Sequence, residues 1–472
     1  MVKNASALLA AIVLGGCTMV GPDYHVPEAA LMKAPEAQGA FQGGARVTIA
    51  EPLPDRWWQL YADPMLDHLV TRTLAANTDL RVAQANLERT LALRDALDAS
   101  REVQGRLDAD TSHAQRSAEA ELSPVKPPER QIYNAGIAVS YDLDLFGGLK
   151  RGIEAANADA EAAVAARDLV RVNVAAETAR AYSDICNSGF QIEVSNRSLA
   201  LQEKGLRLTR LLIAHGRAVA YELARRQVAF EATRSRLPRL SARQRNALLR
   251  LTALEGRTPA EADIDLLRCN RPLVVAQAIP VGDGQALLKR RPDIRLAERH
   301  LAASTARIGV ATAALYPDIR LGASVGSTGA VTDFLSPLTN RFGIGPSISW
   351  ALNRHAARAR IDAAEAQSRA DLAAFDGVVL RALREVESAL TSYAAGIDQQ
   401  RSLETARAEA ALVARRISDL RRGGKIGELP AIEAERDLIA AEQAAAEALA
   451  AINDDQITLF LALGGGWGAQ AY

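Results

Sequence analysis

Four short segments of this chain alternate between apolar and polar side chains, and no other stretch beyond its first residues offers the roughly 18 uncharged apolar residues that a membrane helix needs. Any crossing of a bilayer must therefore be made by strands. Residues 132–145 show the pattern best: Tyr133, Ala135, Ile137, Val139, Tyr141, Leu143 and Leu145 are apolar, whereas Asn134, Ser140, Asp142 and Asp144 are polar. Residues 318–327 repeat it with Ile319, Leu321, Ala323 and Val325, and residues 341–352 with Phe342, Ile344, Pro346, Ile348, Trp350 and Leu352. A fourth segment, about 106–117, alternates poorly and is assigned as a strand by symmetry with 318–327. Each pair is joined by a loop containing Pro and Ser, suited to an exposed hairpin tip. Four strands cannot close a barrel, since even the smallest need about eight, and open edges would leave backbone donors and acceptors unpaired in lipid. Such a chain must share its barrel with copies of itself. Two copies give eight strands and a filled interior; three give twelve and leave a lumen.

The strand pairs sit in a sequence that repeats itself. Asn77-Thr78-Asp79-Leu80-Arg81-Val82-Ala83 is echoed by Arg291-Pro292-Asp293-Ile294-Arg295-Leu296-Ala297, His215-Gly216-Arg217 by Gly423-Gly424-Lys425, and Leu254-Glu255-Gly256 by Leu463-Gly464-Gly465, always at about 210 residues. Two repeats follow, 65–256 and 284–465, joined by a proline-bearing connector, 257–283, and followed by a short tail, 466–472. In each, a helix leads to the strand pair and a very long helix follows it. No proline interrupts 129–237 or 347–429. Leu372, Phe375, Val379, Leu383, Val386, Leu390, Tyr393 and Ile397 step by three or four, as in a coiled-coil seam. A continuous helix over 356–420 would extend roughly 95 Å at 1.5 Å per residue. That reach suits a stalk or the wall of a tube. Apolar residues make up 49% of the 472 residues but aromatics only 4%, so alanine supplies much of the apolar content, as expected for thin, closely packed helical layers wet on both sides. Four strands of a shared membrane barrel continued by long helices describe a conduit.

Residues 1–16 read as a signal peptide, with Lys3, the apolar run Ala7 to Leu14, and a Leu14-Gly15-Gly16-Cys17 processing site that resembles a bacterial lipobox. By that resemblance Cys17 is the lipidated N-terminus of the mature chain, Thr18 behind it is an outer-membrane address, and 17–64 form a lipid-anchored segment. The other two cysteines, Cys186 and Cys269, belong to an exported chain and are predicted to pair. Two unpaired buried thiols are the alternative, because spacing alone does not bring their Cα atoms within bonding range.

Several stretches resemble the TolC-like outer-membrane factors, in particular the lipoprotein branch of the OprM/NodT type. They are Cys17 with Val20-Gly21-Pro22-Asp23-Tyr24, Trp57-Trp58-Gln59-Leu60-Tyr61-Ala62-Asp63-Pro64, Asp79-Leu80-Arg81, Arg290-Arg291-Pro292-Asp293-Ile294-Arg295, Ala306-Arg307-Ile308-Gly309-Val310-Ala311, Tyr316-Pro317 and the closing Leu463-Gly464-Gly465-Gly466-Trp467. The resemblance spans almost the whole chain. It implies a mainly α fold with a transmembrane β portion: a homotrimer with a 12-stranded barrel in the outer membrane and a long periplasmic α-helical barrel. The implied partners are a periplasmic adaptor and an inner-membrane pump of the resistance-nodulation-division (RND) class, with drugs or other small molecules as cargo and antibiotic resistance as a consequence. The periplasmic end is expected at two helix-turn-helix tips, 211–221 and 421–430. Gly216, Arg217, Gly424 and Lys425 are the implied adaptor contacts, although the second tip reads one residue short of the family pattern around Gly423 and Gly424. Asp419, with Arg415 and Arg416 close by, matches the place where the family carries a constricting aspartate, and three copies around an axis would form a gate. A plain turn and a solvated charge run are the simpler readings of these two places.

Nothing points to an enzyme. His25, His68, His113, His215, His300 and His355 show no paired metal spacing. No Gly-x-Ser-x-Gly elbow or phosphate-binding Gly-Lys-Ser/Thr loop occurs. No cofactor is expected beyond the lipid on Cys17. Formal net charge is zero, which argues against a nucleic-acid partner. Two rival roles stand beside the efflux conduit: the outer-membrane exit of a type I protein secretion system, and a periplasmic coiled-coil scaffold lipoprotein without a pore. The scaffold leaves the four alternating strands unexplained.

Overall fold

A computed structural model describes residues 19–44, 46–119, 122–275 and 277–465; the signal peptide, Cys17 and the 466–472 tail lie outside them. The helices are α1 (Pro64–Ala76), α2 (Thr78–Asp98), α3 (Gly148–Ala214), α4 (Ala220–Arg234), α5 (Leu237–Leu254), α6 (Gly284–Arg290), α7 (Pro292–Ala313), α8 (Arg354–Arg422) and α9 (Glu428–Ala462). Four strands, β1 (Gln104–Ala114), β2 (Arg130–Asp142), β3 (Asp318–Ala330) and β4 (Asn340–Ser349), complete the principal elements. The chain divides into two compact units. One gathers the residues up to Pro27, Asn86–Ala163 and Leu296–Phe375; the other gathers Glu28–Ala85, Val164–Arg295 and Asp376 onward.

The first unit contains the sheet, antiparallel in the order β1-β2-β3-β4. The two strand pairs thus meet at β2–β3. Among the described residues β1 and β4 each pair on one side only, so the sheet has two open edges. Three strands end earlier than the sequence pattern implies, at Ala114, Asp142 and Ser349 instead of 117, 145 and 352. The apolar alternation runs on through Leu143, Leu145, Trp350 and Leu352, but the ladder does not follow it. After Leu143, whose N–H still reaches Ile319 O at 3.1 Å, Asp144 adopts φ +40°. Its carboxylate then accepts from the N–H groups of Leu149 (2.9 Å) and Lys150 (2.8 Å) and so starts α3. β3 runs three residues further than expected, to Ala330.

Below the sheet, Arg151 is buried in a clasp on the N-terminal segment. Its guanidinium donates to Val20 O, Gly21 O and Asp23, at 3.1, 3.0 and 2.7 Å, and pairs with Glu154 at 2.7 Å. Ala158, Ala302 and Ala303 pack beside Tyr24. The hydroxyl of Tyr24 donates to Glu298 at 2.5 Å.

The second unit has its own core. Trp57 is fully buried and stacks on Phe460 at 4.6 Å, with Tyr61 edge-on to the same ring. Asp63 caps α1 by accepting from Met65 N (2.8 Å) and Leu66 N (3.1 Å), ahead of Pro64 at the first helical position. Alanines let α3 pack closely: Ala175, Ala176, Ala179 and Ala181 are all buried in this cluster. In the connector, Ile279–Pro280 pairs in parallel with Thr48–Ile49, a link that the sequence pattern does not announce. Cys186 on α3 is bonded to Cys269 of the connector, with Cα atoms 4.7 Å apart. The nearby Gly189 makes the approach feasible, since a Cβ there would lie 2.0 Å from Cys269 O.

α8 is a single helix of 69 residues, about 100 Å long. Of its seam, Phe375, Val379, Val386, Leu390 and Tyr393 are buried, and Leu372, Leu383 and Ile397 partly so.

Candidate functional site

Two regions carry chemistry suited to transport: the face of the sheet and the ends of the long helices. On the sheet, register brings apolar side chains into rows. Leu107, Ile137, Val325 and Phe342 are successive partners across all four strands, and each is more than half exposed. Val139, Ala323 and Ile344 form the next row, then Tyr141, Leu321 and Pro346, then Ile319 and Ile348. An exposed apolar face across an entire sheet needs a non-aqueous neighbour.

The opposite face is polar. There Arg341 reaches back from β4, its Nη2 donating to Asn134 Oδ1 (2.7 Å) and its Nε to Thr328 Oγ1 (3.0 Å). Asn134 in turn donates to Asp110 at 2.9 Å, so one hydrogen-bonded chain crosses the four strands. Among the described residues no helix is long and apolar enough to cross a membrane.

At the helix ends the two turns are built alike. α3 stops at Ala214 and α4 begins at Ala220; α8 stops at Arg422 and α9 begins at Glu428. In the first turn Gly216 N–H bonds Ile213 O (2.9 Å) and Arg217 N–H bonds Leu212 O (2.8 Å); in the second Gly424 N–H bonds Arg421 O and Lys425 N–H bonds Leu420 O, both 2.9 Å. This is the reversal that ends a helix on a left-handed residue. Gly216 and Gly424 have φ +71° and +69° with open space around them, so conformation and not crowding calls for glycine. Both connections take five residues, 215–219 and 423–427, so Gly216 and Gly424, like Arg217 and Lys425, hold the same turn positions. All four residues are exposed.

Asp419, Arg415 and Arg416 lie exposed near the end of α8. Within the chain Asp419 pairs with Arg422 one turn on. Arg415 and Arg416 make no ion pair among the described residues, so the expected tie to them is not made inside one subunit. The connection between helices is made instead by Glu428, which the sequence reading did not single out. Its carboxylate takes Lys204 Nζ of α3 at 2.5 Å and Arg421 Nη1 of α8 at 2.7 and 2.9 Å. Hydrogen bonds from Lys204, then from Arg421, hold its pKa below the ordinary carboxylate value. Arg226–Glu433 (3.2 Å), Arg197–Glu442 (2.9 Å) and Arg180–Asp454 (2.8 Å) continue the pairing between α9 and the helices of the first half. No local motif marks these partners, because each pair joins residues far apart in sequence.

The Arg-Pro-Asp motif also acquires a role. Arg291 is buried and donates to Ala462 O, the last carbonyl of α9, at 2.7 Å, while Asp293 (2.7 Å) and Glu385 (2.9 Å) hold its charge. Burial works against that charge, but the two carboxylates outweigh it and raise the pKa. In the first half Asn77 Nδ2 donates to Leu254 O, the last carbonyl of α5, at 2.9 Å. The hydrogen bonds thus match Leu254 with Ala462 and Gly256 with Gly464, one residue off the equivalence read from the sequence.

A sheet with one apolar face and open edges, in a chain whose long helices turn back at exposed glycines, defines a channel subunit of the outer membrane. Comparison with known proteins agrees. The model of the outer membrane efflux protein family matches residues 69–257 and 284–465, and the chain belongs to that family. The pyoverdine export outer membrane protein OpmQ of Pseudomonas aeruginosa is 29% identical, over 98% of this chain and 97% of its own. The cation efflux system protein CusC of Escherichia coli is 26% identical, over 97% of each. Among solved structures, the outer-membrane channel OprN superposes with a TM-score of 0.83 at 32% identity, covering 95% of this chain and 99% of its own. The open-state MtrE channel of Neisseria gonorrhoeae gives 0.80 at 26% identity, covering 95% and 98%. The protein is the outer-membrane channel component of a tripartite efflux system.

Proposed function

We propose that the chain works as a homotrimeric passive duct, each subunit giving four strands to a 12-stranded barrel and its long helices to a periplasmic tube, with lipid on Cys17 as a second anchor. The observation that carries this reading is the sheet itself: apolar rows on one face, a polar chain on the other, and unpaired edges on β1 and β4. Edges of this kind in lipid require neighbours, and identical neighbours supply them by rotation. The lipid anchor is supported by the placement of Met19. Val20 N–H bonds Phe146 O at 3.2 Å, and a Cβ on Gly147 would lie 2.6 Å from Met19 Cγ. Met19, the first described residue, thus lies against the turn that follows β2.

In this reading Gly216, Arg217, Gly424 and Lys425 meet a periplasmic adaptor, and an RND pump of the inner membrane supplies the energy. Asp419 with Arg415 and Arg416 lines the aperture of the trimer, where like charges around an axis favour opening. Glu428, bound to Lys204 and Arg421, holds the second hairpin against the first. Cargo consists of small molecules. Relatives of similar identity are named for pyoverdine, toluene and cation export, which fits a tube that selects little.

The test is reconstitution of the purified full-length protein in planar bilayers, with cross-linking in detergent beside it. Cross-linked trimers and a steady ion conductance are expected. A protomer that stays single and never conducts would refute the duct and leave the scaffold reading.

A further inference from the structure

We propose that the loop between β3 and β4, residues 331–339, folds down onto the lipid side of the sheet and anchors it at the outer-leaflet interface, where lipid headgroups meet acyl chains. The inference rests on the reading of that sheet face as lipid-facing. The loop is held by one side chain. Tyr133 of β2 shares the face of Ile137, Val139 and Tyr141, yet it is buried, because the loop closes over it. Its hydroxyl accepts from the N–H of Leu335 (2.9 Å) and lies 2.6 Å from Ser327 Oγ and 3.0 Å from Thr339 Oγ1; its ring packs on Phe334 at 4.8 Å. Ser327 and Thr339 are bonded to each other at 2.7 Å, which closes a hydroxyl cluster beneath the loop. Leu335 is thereby fixed at φ +60°, a conformation that a leucine rarely adopts.

What this arrangement presents outward is apolar. Phe334 is 59% exposed, Leu335 62% and Leu338 97%. The loop between β1 and β2 also exposes Leu122 and Val125 but sets them among Arg116, Glu119, Lys126 and Glu129, whereas Asp333 is the one charged residue of 331–339. Height along the strands points to lipid as the partner. Tyr133 stands eight residues from Tyr141, about 27 Å along the strand and about 20 Å along the membrane normal at the usual tilt of about 40°. Just beyond Tyr141, Phe146 stacks on Tyr316 at 4.5 Å, and Trp350 Nε1 bonds Leu315 O at 3.0 Å. Barrel proteins carry an apolar band about 25 Å tall between two aromatic girdles. Phe146, Tyr316 and Trp350 mark one girdle, and Tyr133 with Phe334 marks the other. The exposed leucines continue the Leu107–Ile137–Val325–Phe342 row toward the headgroups.

Spin labels at Leu338→Cys, Phe342→Cys and Val125→Cys test this in the full-length protein, reconstituted in vesicles of phosphatidylethanolamine and phosphatidylglycerol. Signal from the unsubstituted protein is subtracted. Collision with oxygen should exceed collision with a water-soluble nickel complex at 338 and 342, and the order should invert at 125. Tyr133→Phe, which removes the hydroxyl and keeps the ring, should shift 338 toward the behaviour of 125; no shift would remove Tyr133 as the positioning residue. If 342 meets oxygen while 338 meets nickel, the loop proposal is overturned and the lipid-facing sheet stands. If 342 also meets nickel, the sheet reading itself is wrong.

Discussion

Replacing both cysteines, Cys186→Ala with Cys269→Ser, tests how the connector is held to the long helix. The bond closes a loop across a sequence separation of 83. In the chain-entropy treatment such a loop restricts the unfolded chain by about 4.6 kcal/mol. A folded unit of this size loses roughly 2–3 °C per kcal/mol, so the melt should fall by about 10 °C. Differential scanning calorimetry of the protein in detergent, oxidised against variant, reads this directly. Local packing adds a second readout. Gly189→Ala places a Cβ 2.0 Å from Cys269 O, so the bonded connector cannot stay in place, whereas an unbonded one is free to move away. Gly189→Ala should therefore lower the melt strongly in the wild type and weakly in the double variant, and the two changes should not add. A melt displaced by less than about 2 °C in the double variant would refute the loop-entropy argument. Additive effects would refute the claim that the bond, and not the remaining contacts of the connector, fixes Cys269 against α3.

Three further outcomes follow from the same geometry. Glu428→Gln should raise single-channel conductance at neutral pH by weakening the link to Lys204. The pKa of Glu428 is depressed from 4.5, so the wild-type link persists above that value and is lost as pH falls through the lower folded value; conductance should rise there in the wild type, and an acid step that survives in Glu428→Gln would exclude this carboxylate as its cause. Asp419→Ala with Arg416→Ala should also raise conductance, and unchanged currents would remove these residues from the aperture. Arg291→Ala removes the charged hydrogen bonds to Ala462 O, Asp293 and Glu385, and because those carboxylates keep partial access to water it should destabilise by about 1.5–3 kcal/mol, against about 1 kcal/mol for Asn77→Ala; equal losses in chemical unfolding would contradict the assigned roles.

The sheet was legible wherever one of its faces is exposed and apolar, because Tyr133 to Tyr141 and Phe342 to Ile348 must then alternate. β1 was not, since Leu107 is its only large apolar residue. Strand ends were overrun because Leu143, Leu145, Trp350 and Leu352 keep the apolar rhythm after the ladder stops, where the chain turns at Asp144. The tip glycines could be read from the repeat, for positive φ leaves a mark in the sequence. Glu428 could not. Its partners come from two other helices, and a carboxylate in the first turn of a helix looks the same whether it meets cations or water. The two cysteines are plain in the sequence, but the missing Cβ at Gly189 that admits the connector acquires meaning only beside Cys269 O.

The two turns share a hydrogen-bond pattern, and their side chains have diverged, which bears on how the proposed aperture would move. Superposing Gly216 on Gly424 puts Ile213 at the place of Arg421 and Ala220 at the place of Glu428. The first hairpin therefore lacks the internal ion pair that clamps the second. Of the links between halves near the tips, Lys204–Glu428 and Arg226–Glu433 must break if the second hairpin swings away, whereas Arg421–Glu428 travels with it. Released from Lys204, Glu428 still has Arg421, whereas Glu433, already about half exposed, is left to water. Lys204 and Arg226 are left facing water, where an exposed pair is worth about 0–1 kcal/mol each. Two such links form a barrier that docking of a partner on Gly424 and Lys425 can offset, and the backbone of the turn need not change for it to do so.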